Sequence, residues 1–153
     1  MALETKQNID DLIEIFINSS KFLASYESTD RLINNKEHSY NKAKSVASKK
    51  YKAIKELLKS EEGIDKLTML LDYNDIVIAS ATAEVLYPLY PSKCIKILRD
   101  YSKSLSNKLD AYKVDCMIEG LNQKQTFFID NLKKLYNTDN LEELNREPQE
   151  KCK

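Results

Sequence analysis

Few side chains in this 153-residue chain are of the types that carry out covalent or acid–base chemistry. The single histidine, His38, lies in the polar run Asn34-Asn35-Lys36-Glu37-His38-Ser39, and the cysteines are Cys94, Cys116 and Cys152. A Ser-His-Asp or Cys-His nucleophilic site needs an imidazole beside the nucleophile, so it would have to bring Cys94 or Cys116 to His38. A histidine in so polar a run is expected at the surface instead. The doublets Asp10-Asp11 and Glu61-Glu62 hold the carboxylates that acid–base catalysis uses. Adjacent residues on a helix point about 100° apart. Both doublets fall where a helix should begin, so capping and stabilisation of the helix dipole is their expected role. No Cys-x-x-Cys pair and no His/Cys/carboxylate set has metal-ligand spacing, so neither a metal nor any other cofactor is expected, and no catalysis. Three thiols without a pairing pattern fit a reducing compartment. The opening Met-Ala-Leu-Glu-Thr-Lys lacks a signal-peptide core, and no apolar run approaches membrane length. A cytoplasmic protein without membrane contact is therefore expected.

The elements that would position these residues are helical. With 2 Gly and 3 Pro, the chain lacks the means for tight hairpins and glycine-rich phosphate loops, which argues against β-barrels, Rossmann folds and P-loops. Apolar residues instead recur at helical spacing. Asn8 caps a first helix with Ile9, Leu12, Ile13, Phe16 and Leu23 inward, and Ser28-Thr29-Asp30 caps a turn before Leu32 and Ile33. A long helix is predicted over 36–59 with Tyr40, Ala43, Ala47, Tyr51, Ile54, Leu57 and Leu58 inward, and Gly63 marks the break after it. Helices follow over 64–72, over 75–87 with Asn74 as cap, over 92–103, over 107–119 closed by Gly120, and over 126–136 with Phe127 and Phe128. Two prolines interrupt the loop Tyr87-Pro88-Leu89-Tyr90-Pro91. A single helical domain over 1–137 and a loose polar tail over 138–153 are expected.

An internal repeat is visible in Leu70-Leu71-Asp72-Tyr73 and Leu98-Arg99-Asp100-Tyr101, each placed before the second helix of a pair. Stacked helical hairpins of about thirty residues would produce it. The stretch Glu62-Gly63-Ile64-Asp65-Lys66-Leu67, Leu70-Leu71-Asp72, Asp75-Ile76-Val77-Ile78-Ala79, then Leu86, Pro91, Cys94, Ile97 and Leu98 resembles the HEAT-type repeat. It is similar to a bacterial family of small HEAT-like all-helical domains, some of whose members are associated with toxin immunity. The resemblance implies an all-α, HEAT-like α-solenoid of about six to eight helices in stacked hairpins. The pattern's Arg after the Val is Ile78 here. That departure implies a compact three-hairpin block rather than an extendable superhelix.

Charge is neutral in sum, 24 Lys and Arg against 24 Asp and Glu, yet segregated along the chain. Residues 1–30 total −4, 36–59 total +6, 60–90 total −5 and 91–136 total +4. In the acidic block, Asp72, Tyr73 and Asp75 form a polar turn, and Tyr87 and Tyr90 add aromatic side chains of a kind enriched at interfaces. These five residues are the candidate partner-binding set. An acidic, tyrosine-bearing edge suits a basic partner, and the resemblance makes an immunity-type protein that occludes a bacterial toxin, a nuclease for example, the expected function. The alternative is a nucleic-acid-binding protein using Lys42, Lys49, Lys52, Lys55 and Lys59, which share one face of the long helix. A solvated helix face explains the same stripe, which has no arginine beside it for bidentate contacts.

Overall fold

The computed structural model describes residues 8–27, 37–122 and 128–147. Among them are eight α-helices and no strand: α1 Ile9–Glu27, α2 Glu37–Leu57, α3 Glu61–Leu70, α4 Ile76–Leu86, α5 Pro91–Ser104, α6 Lys108–Asn122, α7 Ile129–Tyr136 and α8 Leu141–Leu144. The helical class is the one that the periodicity predicts. The expected cap Ser28-Thr29-Asp30, Leu32, Ile33, Phe127 and Cys152 lie outside the described residues, as do the side chains of His38 and Tyr40. The chain forms two compact units, one ending at Leu67 and one beginning at Thr68.

In the first unit α1 packs along α2. Asn8 starts α1 by accepting the Asp10 N–H on its side chain at 2.9 Å. Leu12, Phe16, Ser19, Ser20 and Leu23 form the buried face of α1, and Ala43, Ala53, Ile54 and Leu57 that of α2. The inner face of α2 differs from the expected one. Ala47 is exposed and Tyr51 is 45% exposed, while Lys50 is half-buried with its ammonium 5.7 Å from the centroid of the Phe16 ring. The cause is register. Ala43, Lys50 and Leu57 are one heptad apart and lie nearly in line, whereas Tyr51 is turned about 100° from Lys50. The lysine stem covers apolar surface while its charge rests on an aromatic face.

Gly63 lies within the first turn of α3 rather than in a break. Its N–H donates to Ser60 Oγ at 3.1 Å, and the Ile64 N–H donates to the Ser60 carbonyl at 3.1 Å, so Ser60 is the cap of α3. A Cβ at position 63 would stand 2.0 Å from the Leu57 carbonyl oxygen and 2.9 Å from its Cα. Only a glycine lets the start of α3 come this close to the backbone at the end of α2.

In the second unit α5 is central, packed on α4 and on α6, with Cys94 and Leu98 fully buried. Within this unit the principal packing falls on α4–α5 and α5–α6. The two tetrapeptides occupy different places. Leu70-Leu71-Asp72-Tyr73 leaves the end of α3, whereas Leu98-Arg99-Asp100-Tyr101 lies inside α5. Buried residues run around most of α4, from Ile78 to Leu86. Its hydroxyls stay satisfied because Thr82 Oγ1 donates to the Ile78 carbonyl at 2.8 Å and Ser80 Oγ to the Val77 carbonyl at 2.9 Å. Ile78 is fully buried, so an arginine in its place would bring a charge into apolar surroundings. Asn107 caps α6 by accepting the Leu109 N–H at 2.9 Å, and Gly120 falls inside that helix rather than closing it.

The expectation of a loose tail does not hold for residues 138–147. Asn137 turns the chain with φ of 50°, Asn140 caps α8 through the Glu142 N–H at 2.9 Å, and Leu144 is buried. One buried leucine with two local caps orders a segment whose composition is otherwise polar.

Replacing Gly63 by Ala forces α2 and α3 apart. Chemical denaturation of Gly63→Ala should show a loss of about 3 kcal/mol, with the helical circular dichroism of the folded state retained.

Candidate functional site

Of the partner-binding set, Asp72, Tyr73 and Asp75 occupy the turn between α3 and α4. Three backbone hydrogen bonds shape its start: the N–H groups of Leu71, Asp72 and Tyr73 donate to the carbonyls of Thr68, Met69 and Leu70. Two large side chains are exposed here, Met69 in the last turn of α3 at 68% and Tyr73 in the turn at 45%. Its acids are partly engaged. Asp75, not Asn74, is the cap of α4, its carboxylate accepting the Val77 N–H at 2.9 Å. Asp72 Oδ1 lies 2.8 Å from Lys93 Nζ in the first turn of α5. That ion pair is exposed on both sides and is worth about 0–1 kcal/mol, so Asp72 remains available to a stronger cation.

Tyr87 and Tyr90 lie at the other end of α4. Its eleven residues separate them from Asp75 by about 16 Å along the axis. Both side chains are half-buried at the α4–α5 junction, so the structure does not gather the five residues into one exposed cluster. Tyr90 occupies the capping position of α5 without donating or accepting a side-chain cap bond, and Pro91 begins the helix.

The cap of α5 comes from a residue that sequence reasoning missed. Glu147 accepts the Ser92 N–H on Oε1 and the Lys93 N–H on Oε2, both at 2.9 Å. Beside it, the Arg146 N–H donates to the Leu89 carbonyl at 2.7 Å, and the Arg146 guanidinium lies 4.7 Å from the Tyr136 ring centroid. A carboxylate taking two free N–H groups at a helix start meets both the hydrogen-bonding and the dipole requirement of that end. No local signal points to it, because 55 residues separate Glu147 from Ser92.

This cap sits over a buried thiol. Burial pushes Cys94 up from its ordinary 9.0 to about 12; the Glu147 carboxylate adds to the rise and Lys93 opposes it. Burial likewise raises Tyr87, with smaller contributions from Cys94 and Glu147. Cys94 is thus a protonated, apolar core residue at neutral pH, not a nucleophile. Cys116 is exposed on α6, where a side-chain hydrogen bond with it raises the Tyr112 phenol. Among the described residues, no group of three or more His, Cys, Asp and Glu is placed to hold a metal ion.

The lysine stripe of the alternative reading is exposed along α2 at Lys42, Lys49, Lys52 and Lys55, and Lys59 is exposed in the turn two residues past the end of that helix. Three of the five are engaged within the first unit: Lys42 lies 5.0 Å from the Phe22 ring centroid, Lys55 lies 5.0 Å from that of Tyr51, and Lys59 pairs with Glu56 at 2.7 Å. Of the acid doublets, Asp10-Asp11 and Glu61-Glu62 both stand in the first turn of a helix, α1 and α3, where carboxylates favour the dipole. Among the described helices, none is long and apolar enough to cross a membrane.

The thiols and the cap each yield a test. In a Cys152→Ser background at pH 8, a disulfide reagent should label Cys116 rapidly and Cys94 only on unfolding. Above pH 9 the unfolded chain releases the Cys94 proton while the folded chain keeps it. The contribution is therefore whole below pH 9 and lost as pH rises towards 12. Thermal melts should show that fall, and Cys94→Ala should lessen it. Glu147→Ala should cost about 1–2 kcal/mol by removing a cap, and Glu147→Gln should also lower the pKa of Cys94, read by reagent kinetics.

Comparison of the chain with protein-family models, with curated proteins and with solved structures finds no match.

Proposed function

We propose that this chain is a non-enzymatic helical domain that acts by binding another protein. The observation that carries the reading is the end of α3 and the turn after it, where Met69 and Tyr73 are exposed beside Asp72, on a backbone held by successive hydrogen bonds. Large side chains on an ordered support lose little entropy on binding, and tyrosine and methionine are enriched in the cores of interfaces. The adjacent carboxylates suit a basic surface, since charge complementarity accelerates encounter.

The specific form of the proposal is an immunity-type protein that occludes a cationic bacterial toxin, with a nuclease as the class that an acidic blocker fits. The mechanism is steric and electrostatic blockade. Tyr73 and Met69 form the anchor, Asp72 and Asp75 steer the approach, and Tyr87 and Tyr90 support the α4–α5 junction. The lysine face of α2 contributes solvation in this reading. Retention of DNA or RNA on a filter through Lys49 and Lys52 would replace it with the nucleic-acid one.

The test uses the protein that co-purifies with the native chain from its own cells. Tyr73→Ala should weaken that complex about tenfold or more, the loss of about 1.4 kcal/mol. Asp72→Lys combined with Asp75→Asn, which keeps the helix cap, should slow association at low salt and leave it little changed at high salt. Unchanged affinity and unchanged salt dependence would remove this surface. A partner that does not harm cells lacking the chain would remove the immunity form while leaving protein binding in place.

A further inference from the structure

A second surface of the C-terminal unit has a chemistry opposite to that of the Asp72–Tyr73 turn. An open groove of about 540 Å³ runs along α5, lined by Tyr87, Pro91, Ser92, Ile95, Lys96, Arg99, Asp100 and Lys103. Tyr87, Pro91 and Ile95 are half-buried and make one end apolar; Lys96, Arg99 and Lys103 are exposed and make the other cationic. The single acid, Asp100, is tied to Lys96 at 2.9 Å. Arg99 and Lys103 make no ion pair or side-chain hydrogen bond with any described residue, so two cations, one of them a planar fork suited to carboxylates, face the groove uncommitted.

We propose that this groove binds an extended, acidic peptide segment of a partner protein. The spacing fits that shape. Arg99 and Lys103 are four residues apart on a helix, about 6 Å along its axis, and alternate residues of an extended chain are about 6.6 Å apart on one face. Two carboxylates at alternate positions therefore meet the two cations, while an apolar side chain a few residues along reaches Tyr87, Pro91 and Ile95. A nucleic-acid strand suits the groove less well. Three cations and a carboxylate leave little net charge to neutralise a phosphate backbone, and the apolar end offers nothing to a phosphate. This inference is independent of the reading of the Met69–Tyr73 turn, and its test needs no partner of that turn.

The probe is a short fluorescein-labelled peptide with glutamates at alternate positions, serines between them and leucine near one end, followed by anisotropy at low salt. The same peptide with lysines for glutamates should not bind. Arg99→Glu with Lys103→Glu should weaken binding at least about tenfold, and Arg99→Gln with Lys103→Gln by a smaller factor. Lys108→Glu with Lys113→Glu, an equal change in net charge on exposed positions of α6, should leave affinity nearly unchanged. Amide chemical-shift changes should concentrate in residues 87–103. Equal loss in the α6 variant, no loss in the α5 variants, shift changes centred elsewhere, or tighter binding of an oligothymidylate of matching length would each overturn the proposal.

Discussion

The start of α5 sets the terms for the C-terminal unit. This helix carries the buried residues Cys94 and Leu98 and packs on both α4 and α6, so its first turn must be held firmly. The residue before it, Tyr90, has no side chain able to receive the free N–H groups, and Pro91 fixes only the local dihedral. Glu147 supplies what is missing, with one carboxylate oxygen for each of two N–H groups. The bond works in both directions. It completes α5, and together with the Arg146 to Leu89 backbone bond and the buried Leu144 it gives the end of the chain a defined place.

The same arrangement keeps the thiol beneath this cap protonated at neutral pH. A thiol that loses water to burial and also faces a carboxylate resists ionisation on both counts. Cys94 is therefore best understood as a small apolar residue of the core. Two surfaces of the C-terminal unit differ in sign: a turn with Met69, Asp72 and Tyr73, and a groove with Arg99 and Lys103. Segregation of charge into separate patches is compatible with a formal net charge of zero.

Much of this was legible before any coordinates. Helical spacing located most of the helices, and Asn8 identified the start of α1 because an Asx cap acts within three residues. Where the reading erred, the deciding interaction was more distant or a matter of register. Tyr51 looked like a core residue because it is aromatic and apolar, yet the heptad through Ala43 and Leu57 carries Lys50 inward. The matching tetrapeptides suggested a repeat, but one ends a helix and the other continues inside one. The turn between Leu71 and Asp75 ends at the Asp75 cap, whereas the position two residues after Tyr101 is Lys103, inside α5, and the next cap comes only at Asn107. Asp72 and Asp75 were identified as a site from charge alone, and the structure gives each of them a structural partner as well.

By itself, then, the sequence determined the all-helical class, the scarcity of glycine turns, the local caps and the blocks of charge. These depend on residues within one or two turns of each other, where spacing along the chain and distance in space are nearly the same thing. Only the tertiary structure decided that Glu147 closes α5, that Ile78 is fully buried, that Gly63 meets the Leu57 backbone, and that Arg99 and Lys103 line a groove with Tyr87. Each of those outcomes depends on which helix faces lie together, and apolar spacing shows that a face is buried without showing against which other face, while a long-range hydrogen bond leaves no pattern in the sequence at all.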